Sequence, residues 1–271
     1  MESKQNNLRL LAVDLDGTLL TDDKRISEAN LAALQAAMEQ GIHVCLATGR
    51  AWPGARAYAE CVGPDTPVVT NNGAMIVDPR TDEILFELQL AREDAKEIYA
   101  LGESLGISMV VWSQNILYGS RMDALIEDYE QRFGKMKARP VTSIDELSKQ
   151  GISKILWYSM SGQAVAWSKL VPESIRERVS VETSSINALE FFNRNVSKAQ
   201  AVGRVAEGLG LSLSETMAIG DAGNDLPLIK AAGLGVAMGN AMEHVKAMAD
   251  AVTADNEHDG VMEAVRRYLL K

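Results

Sequence analysis

Leu10-Leu11-Ala12-Val13-Asp14-Leu15-Asp16-Gly17-Thr18 is the stretch on which the reading of the fold turns. Its first four residues form an apolar run, the pattern of a strand buried on both faces of a parallel sheet. Charge begins abruptly at Asp14 and Asp16, so both carboxylates fall at the carboxyl end of that strand, where open α/β sheets form their ligand crevice. A solvated strand end followed by a turn is the plain alternative. A calcium loop is excluded: counting from Asp14, the positions that require glycine and glutamate hold Leu19 and Arg25.

Working outward, Leu31, Leu34 and Met38 recur at helical spacing between Glu28 and Gln40, with Ser27 as N-cap and Gly41 as terminator. A second strand, Ile42 to Ala47, a helix from Pro53 to Cys61 and a third strand, Pro67 to Thr70, complete a β-α-β-α-β opening. The last third repeats this grammar. Its helices are Ser197 to Gly208, Leu226 to Ala232, Glu243 to Met248 and Val261 to Leu270, and its strands Met217 to Ile219, Leu234 to Ala237 and Ala251 to Thr253. Between the halves, helices (Arg92 to Leu105, Met122 to Phe133, Gln163 to Leu170) mix with strands (Met109 to Trp112, Lys154 to Ser159, Leu189 to Phe192). The expected architecture is α/β: a Rossmann-like parallel sheet core, residues 1–87 and 193–271, interrupted by an inserted α+β domain, residues 88–192.

The chain has 271 residues, 46% of them hydrophobic, enough for a substantial core without staples. Cys45 and Cys61 have no CxxC spacing, so neither a disulfide framework nor a zinc site is indicated, and a reducing cytoplasm fits. Residues 1–7 are polar and no apolar segment is long enough for a signal peptide or a membrane span. A formal net charge of -10 disfavours nucleic acid as a partner. The same charge opposes any anionic substrate, so a phosphate site here must be made locally positive by a metal, a lysine or backbone amides.

Candidates for all three recur at strand ends and helix starts. Ala47-Thr48-Gly49-Arg50 closes the second strand, offering the Thr48 hydroxyl and the Gly49 amide at the same sheet edge; an ordinary strand-to-helix turn reads alike. Ser197-Lys198 opens a helix, and a cation beside free amides is easier to understand with an anion at that terminus. Gly220-Asp221-Ala222-Gly223-Asn224-Asp225 again lies between an apolar strand and a helix. Asp225 alone could be a first-turn acid, but that leaves Asp221 unexplained, and oxygen-rich clusters of this kind suit magnesium. His43, His244 and His258 share no ligand spacing, and Gly208-Leu209-Gly210 and Gly233-Leu234-Gly235 do not complete a dinucleotide loop. Trp112, Tyr118, Trp157 and Tyr158 read as packing residues of the insert.

Taken in order, Asp14-Leu15-Asp16-Gly17-Thr18, Ala47-Thr48-Gly49-Arg50, Val196-Ser197-Lys198 and Gly220 to Asp225 resemble the four motifs of the haloacid dehalogenase superfamily, and the whole chain resembles its Cof-type sugar-phosphatase branch. Asn72-Gly73-Ala74, Gly235 to Ala241 and Asp259-Gly260-Val261 are further family-like pieces; Asn195 and Leu228 depart from the common residues without touching the charged groups. The resemblance implies that the insert is a cap closing over the active site. It also implies magnesium-dependent hydrolysis of small phosphomonoesters, sugar phosphates or related metabolites, with Asp14 as nucleophile and Asp16 as general acid and base. Asp14, the backbone carbonyl of Asp16 and Asp221 would bind Mg2+, with Asp225 in support; Thr48, the amides of Leu15 and Gly49, and Lys198 would hold the phosphoryl oxygens, with Asn224 close to substrate. Arg50 is a weaker candidate. A phosphomutase using the same aspartyl-phosphate and a phosphometabolite sensor without turnover are the alternatives, and the sequence selects no oligomeric state.

Overall fold

The computed structural model describes residues 7–132 and 136–270. Phe133, where the sequence reading ends a helix, therefore lies outside the described residues, as do residues 1–6 of the polar N-terminus. In chain order the elements are β1 (Leu10–Val13), α1 (Glu28–Glu39), β2 (His43–Leu46), α2 (Trp52–Val62), β3 (Val68–Thr70), a single 3-10 turn (Asn71–Gly73), β4 (Met75–Val77) and β5 (Ile84–Glu87). There follow α3 (Arg92–Ser104), β6 (Met109–Ser113), β7 (Ile116–Gly119), α4 (Ala124–Arg132), β8 (Arg139–Pro140), α5 (Ile144–Gln150), β9 (Lys154–Tyr158), α6 (Ala164–Ser168), α7 (Glu173–Arg176), β10 (Val179–Ser185) and β11 (Ala188–Asn193). The chain closes with α8 (Lys198–Gly208), β12 (Thr216–Gly220), α9 (Leu226–Ala231), β13 (Leu234–Ala237), α10 (Glu243–Lys246), β14 (Ala251–Val252) and α11 (Gly260–Tyr268).

By contact density the chain divides into two compact units. The first comprises the described residues of Met1–Arg50, Ala55–Leu85 and Ser197–Lys271; the second comprises Ala51–Gly54 and the described residues of Phe86–Val196.

The first unit is built on a five-stranded parallel sheet of order β14-β13-β12-β1-β2. Every residue of β1, β12 and β13 is buried, which is why their sequences are unbroken apolar or small-residue runs rather than alternating ones. Strand order reverses between β1 and β12: one half of the chain runs outward from β1 to β2, the other from β12 to β13 and β14. The carboxyl ends of β1 and β12 thus flank a topological switch point. Ser27 caps α1 by accepting from the Asn30 N–H at 3.1 Å, and the Asn30 carboxamide in turn accepts from Met262 N at 2.8 Å, tying α1 to α11.

β3 departs from the expected alternation. It joins the parallel sheet through a single bridge, Ala47 to Val69, and otherwise pairs antiparallel with β4, which the sequence reading did not anticipate. A three-residue strand shortly after Asn-Asn-Gly carries too little pattern to be seen.

The second unit carries a six-stranded sheet of order β10-β11-β9-β6-β7-β8, antiparallel except for the β7-β8 pair. Alternate residues serve two separate cores: Met109, Val111, Ile155, Trp157, Leu189 and Phe191 pack on one face, and Val110, Trp112, Leu156 and Tyr158 on the other with Ile126 and Tyr129 of α4. This gives Trp112, Trp157 and Tyr158 the packing role expected of them, and Tyr118 rests half-buried against the first core. No helix among the described residues is long and apolar enough to cross a membrane.

Close approach of backbone fixes Gly235 in β13: a Cβ built there would overlap the Ile229 carbonyl oxygen of α9. Gly235→Ala is expected to destabilise the protein by about 1–3 kcal/mol, the usual penalty of overpacking, seen as a lower urea midpoint at unchanged slope.

Candidate active site

β1 ends at Val13, and the next residue, Asp14, is buried. α8 begins at Lys198, whose side chain is also buried and whose ammonium donates to Asp14 Oδ1 and to Asp225 Oδ1, each at 2.6 Å. Asp225 is fixed from its other oxygen, which accepts from the backbone N–H groups of Asp221 and Ala222 at 3.1 Å each. The helix that follows Asp225 therefore starts in a loop folded back on its own carboxylate. Ser197 occupies the N-cap position of α8, but its hydroxyl makes no capping bond.

Asp221 sits at the end of β12 and accepts from the Thr18 hydroxyl at 3.2 Å. Gly17, at φ +76°, lies so close to it that a Cβ would collide with the Asp221 carboxylate; both the conformation and the contact require glycine. Asp14, Asp221 and Asp225 each offer a carboxylate oxygen within 4.8 Å of the others. These are hard oxygen donors, the set that Mg2+ takes, and Lys198 neutralises only one of three charges. The residues fit a magnesium ion held by Asp14 and Asp221, with Asp225 engaged by Lys198 and two amides behind them.

The charges shape each ionisation. Burial holds the Asp14 carboxyl well above the ordinary carboxylate range, against the pull of Lys198 and helped by Asp225 and Asp221. Burial likewise pushes Asp221 up to about 6, with Asp225 adding to it. Lys198 moves upward: burial opposes its charge, but Asp14 and Asp225 together outweigh burial.

Asp16 is placed differently. Its side chain turns to the cations Arg50 and Lys24, Oδ2 accepting from Arg50 Nε at 2.6 Å and Oδ1 from Arg50 Nη2 at 2.8 Å and Lys24 Nζ at 2.9 Å. Although burial acts to raise it, these partners bring its carboxyl down to about 2. The Asp16 side chain is thus absent from the three-carboxylate cluster and is engaged by Arg50 and Lys24.

At the end of β2 the Thr48 hydroxyl accepts from Arg50 N at 3.1 Å, which leaves its proton available for donation. Gly49 lies against the Asn72 carboxamide, and Asn72 Oδ1 accepts from Asn224 Nδ2 at 2.9 Å. Leu15 is fully buried, its carbonyl accepting from Thr18 N at 3.3 Å and Leu20 N at 2.8 Å, so the loop after β1 winds around it. Asn240 and Asn256 pin that loop from outside, donating to the carbonyls of Gly17 at 2.8 Å and Leu20 at 3.0 Å. Sequence reasoning assigned no part to Thr18, Lys24, Asn72, Asn240 or Asn256. An Asn-Gly pair after a strand and an arginine directly after Thr48-Gly49 were the available signals.

A sequence profile of the haloacid dehalogenase-like hydrolases matches residues 11–265. The chain belongs to that family. Among curated relatives, the phosphatase YwpJ of Bacillus subtilis is 32% identical over 288 residues, covering 97% of this chain and 100% of that protein. The 5-amino-6-(5-phospho-D-ribitylamino)uracil phosphatase YcsE of the same organism is 31% identical over 267 residues, covering 97% of each. Among solved structures, the subclass IIB sugar phosphatase BT4131 superimposes with a TM-score of 0.84 at 25% identity, over 97% of this chain and 100% of that one. This haloacid dehalogenase-like hydrolase is accordingly an enzyme of the phosphatase class, of the Cof type.

The raised Asp221 and Asp14 carboxyls give the metal-free hydrolase a definite pH response. An acid whose folded pKa lies above its unfolded value binds protons in the native state first, so stability falls as pH rises from the unfolded value near 3.8 through the folded value of about 6. Asp221→Asn is expected to flatten that fall, to raise the thermal midpoint at pH 8 without metal, and to lose the stabilisation that Mg2+ gives the wild type. Calorimetry across pH 5–8 with and without Mg2+ reads all three, on the order of a few degrees.

Proposed function

We propose that this hydrolase removes the phosphoryl group from small phosphomonoesters, sugar phosphates or related metabolites, through an aspartyl-phosphate on Asp14 with Mg2+ as cofactor. The observation that carries this reading is the buried Asp14 carboxylate at the switch point, gathered with Asp221 and Asp225 around Lys198. Sugar-phosphatase and phosphoribityl-phosphatase relatives support the substrate class.

In the first half-reaction an Asp14 oxygen attacks phosphorus as the ester P–O bond breaks, and Asp16 gives its proton to the leaving alkoxide. In the second, water attacks the same phosphorus, Asp16 takes its proton, and the Asp14–P bond breaks to release phosphate. Bound Mg2+ would offset the repulsion between the Asp14 carboxylate and the phosphate and favour ionised Asp14. Its ligands would be Asp14, the Asp16 backbone carbonyl and Asp221. Thr48, the amides of Leu15 and Gly49, and Lys198 would hold the phosphoryl oxygens, with Asn224 beside them.

A carboxyl held at about 2 by Arg50 and Lys24 keeps no proton at neutral pH. The acid role therefore belongs to an arrangement in which Asp16 has left Arg50 for the leaving-group oxygen. A net charge of -10 argues against nucleic-acid substrates, and the free thiols of Cys45 and Cys61 suit a cytoplasmic enzyme.

Phosphate release from sugar phosphates, nucleotides, FMN, pyridoxal phosphate and p-nitrophenyl phosphate, with and without Mg2+, tests the reading. Release is expected to require Mg2+ and to vanish in Asp14→Asn, which is nearly isosteric but cannot attack; full activity in that variant would sink the mechanism. Asp16→Asn is expected to cost about 10²–10⁴-fold on sugar phosphates and clearly less on p-nitrophenyl phosphate, whose leaving group needs no protonation. Equal losses on both substrates, or an isomeric phosphate as product in place of free phosphate, count against the assigned roles.

A further inference from the structure

The turn that joins β3 to β4 is conformationally costly in a way that joining two strands does not require. Thr70 pairs with Met75 across a four-residue loop, a length most often built on a type I turn with negative φ throughout its centre. Here Asn71, Asn72 and Gly73 take φ values of +51°, +59° and +101° in succession. Left-handed asparagine is tolerated but unfavourable, and two in a row persist only where the surroundings hold them.

Those surroundings are the phosphate-holding residues. Asn71 N donates to the Arg50 carbonyl at 2.8 Å and Asn72 N to the Thr48 carbonyl at 3.0 Å, so the strained turn hydrogen-bonds to both ends of Thr48-Gly49-Arg50. The Asn72 carboxamide lies against Gly49, close enough that a Cβ there would overlap its oxygen, and the same oxygen receives Asn224 Nδ2 at 2.9 Å. Gly73 abuts the Ser197 carbonyl at the start of the helix that carries Lys198, again with no room for a Cβ. Asn71's own carboxamide is buried and has no hydrogen-bond partner among the described residues. The side chain that reaches across to Asn224 is that of Asn72.

We propose that Asn72 is a positioning residue of the phosphatase: its backbone N–H and carboxamide lock the Thr48-Gly49 turn and Asn224 into one surface that holds the phosphoryl oxygens. The inference rests on the functional reading above, which gives Thr48, Gly49 and Asn224 that task. Its consequence is energetic coupling. Asn72 and Asn224, separated by 152 residues, act through one hydrogen bond, so losing either should have nearly the effect of losing both.

The test is a double-mutant cycle on Asn72→Gly, Asn224→Ala and the pair, with Mg2+ present. Glycine accepts φ +59° without strain, so Asn72→Gly removes the carboxamide while sparing the turn. Kinetics on a hexose phosphate and on p-nitrophenyl phosphate are read beside competitive inhibition by orthovanadate and the thermal midpoint. Each single variant is expected to lose about 10–100-fold in kcat/KM on both substrates and to weaken orthovanadate inhibition in step. The thermal midpoint should move by only a few degrees, and the double variant should lose little more than either single one. Asn224→Ala, which removes the donor of the same bond and leaves the strained turn untouched, carries the test if the glycine variant does not fold. An active wild type whose Asn72→Gly form keeps kcat/KM and orthovanadate inhibition within twofold overturns the positioning role and leaves the phosphatase reading intact. So do single losses that multiply in the double variant. A wild type that releases no phosphate from any ester overturns both.

Discussion

The buried ammonium of Lys198, shared between Asp14 and Asp225, is the interaction on which the first unit's active edge depends. Three charged groups taken from water must be matched closely, because removing one partner of such a set typically costs about 3–5 kcal/mol. The match needs the end of β1, the start of α8 and the loop after β12 to converge, and their sequence separations are 184 and 27 residues. What permits convergence is the parallel sheet: β1 and β12 are neighbours in register, so their carboxyl ends deliver Asp14 and Asp221 side by side. The apolar strands supply rigidity, and the charges inherit it.

The arrangement leaves the site short of positive charge. One lysine faces Asp14, Asp221 and Asp225, so both the raised carboxyls and the fit for a divalent cation follow from the same imbalance. Two residues along the loop, Asp16 experiences the opposite field, with Arg50 and Lys24 on its oxygens. Two carboxyl groups of one loop thus sit in opposite fields, Asp14 among anions with a single cation and Asp16 between two cations. Arg50 holds Asp16 bidentately, with direction as well as charge.

Much of this was legible in the sequence, and the limits are physical. Unbroken apolar runs ending in Asp14 and Asp221 announced buried parallel strands and the residues at their ends, because each signal is local. The fold class followed from the alternation of such runs with helical spacing. Hidden elements include β4 with three residues, β8 with two, and β10, whose exposed outer half gives little apolar contrast; β5, β7, α5 and α7 were missed as well. Side-chain pairings across the chain were equally silent. Asn72 to Asn224 spans 152 residues and Arg50 to Asp16 spans 34, and no periodicity encodes either. The family-like pieces around Asn72 and Asn240 were visible as words without a use until their hydrogen bonds to Asn224 and to the Gly17 carbonyl gave them one.

Some of the chain's left-handed backbone lies at the carboxyl edge of the first unit's sheet, as well as in other turns such as those at Asp82 and Asn115. Gly17, Asn71, Asn72 and Gly73 all lie in the left-handed region within the loops that follow β1 and β3. A loop that winds tightly enough to present carbonyls, carboxylates and amides toward one point cannot keep every residue in its preferred basin. Asn240 and Asn256 hold the β1 loop by its carbonyls, and the Thr48 and Arg50 carbonyls hold the turn after β3. In each case an uncharged hydrogen bond to a backbone carbonyl does the holding, from side-chain carboxamides in the β1 loop and from backbone N–H groups in the turn after β3, and it does not depend on which charges the loops carry. The scaffold therefore gathers Asp14, Asp221 and Asp225 on loops whose own shape is held by uncharged bonds.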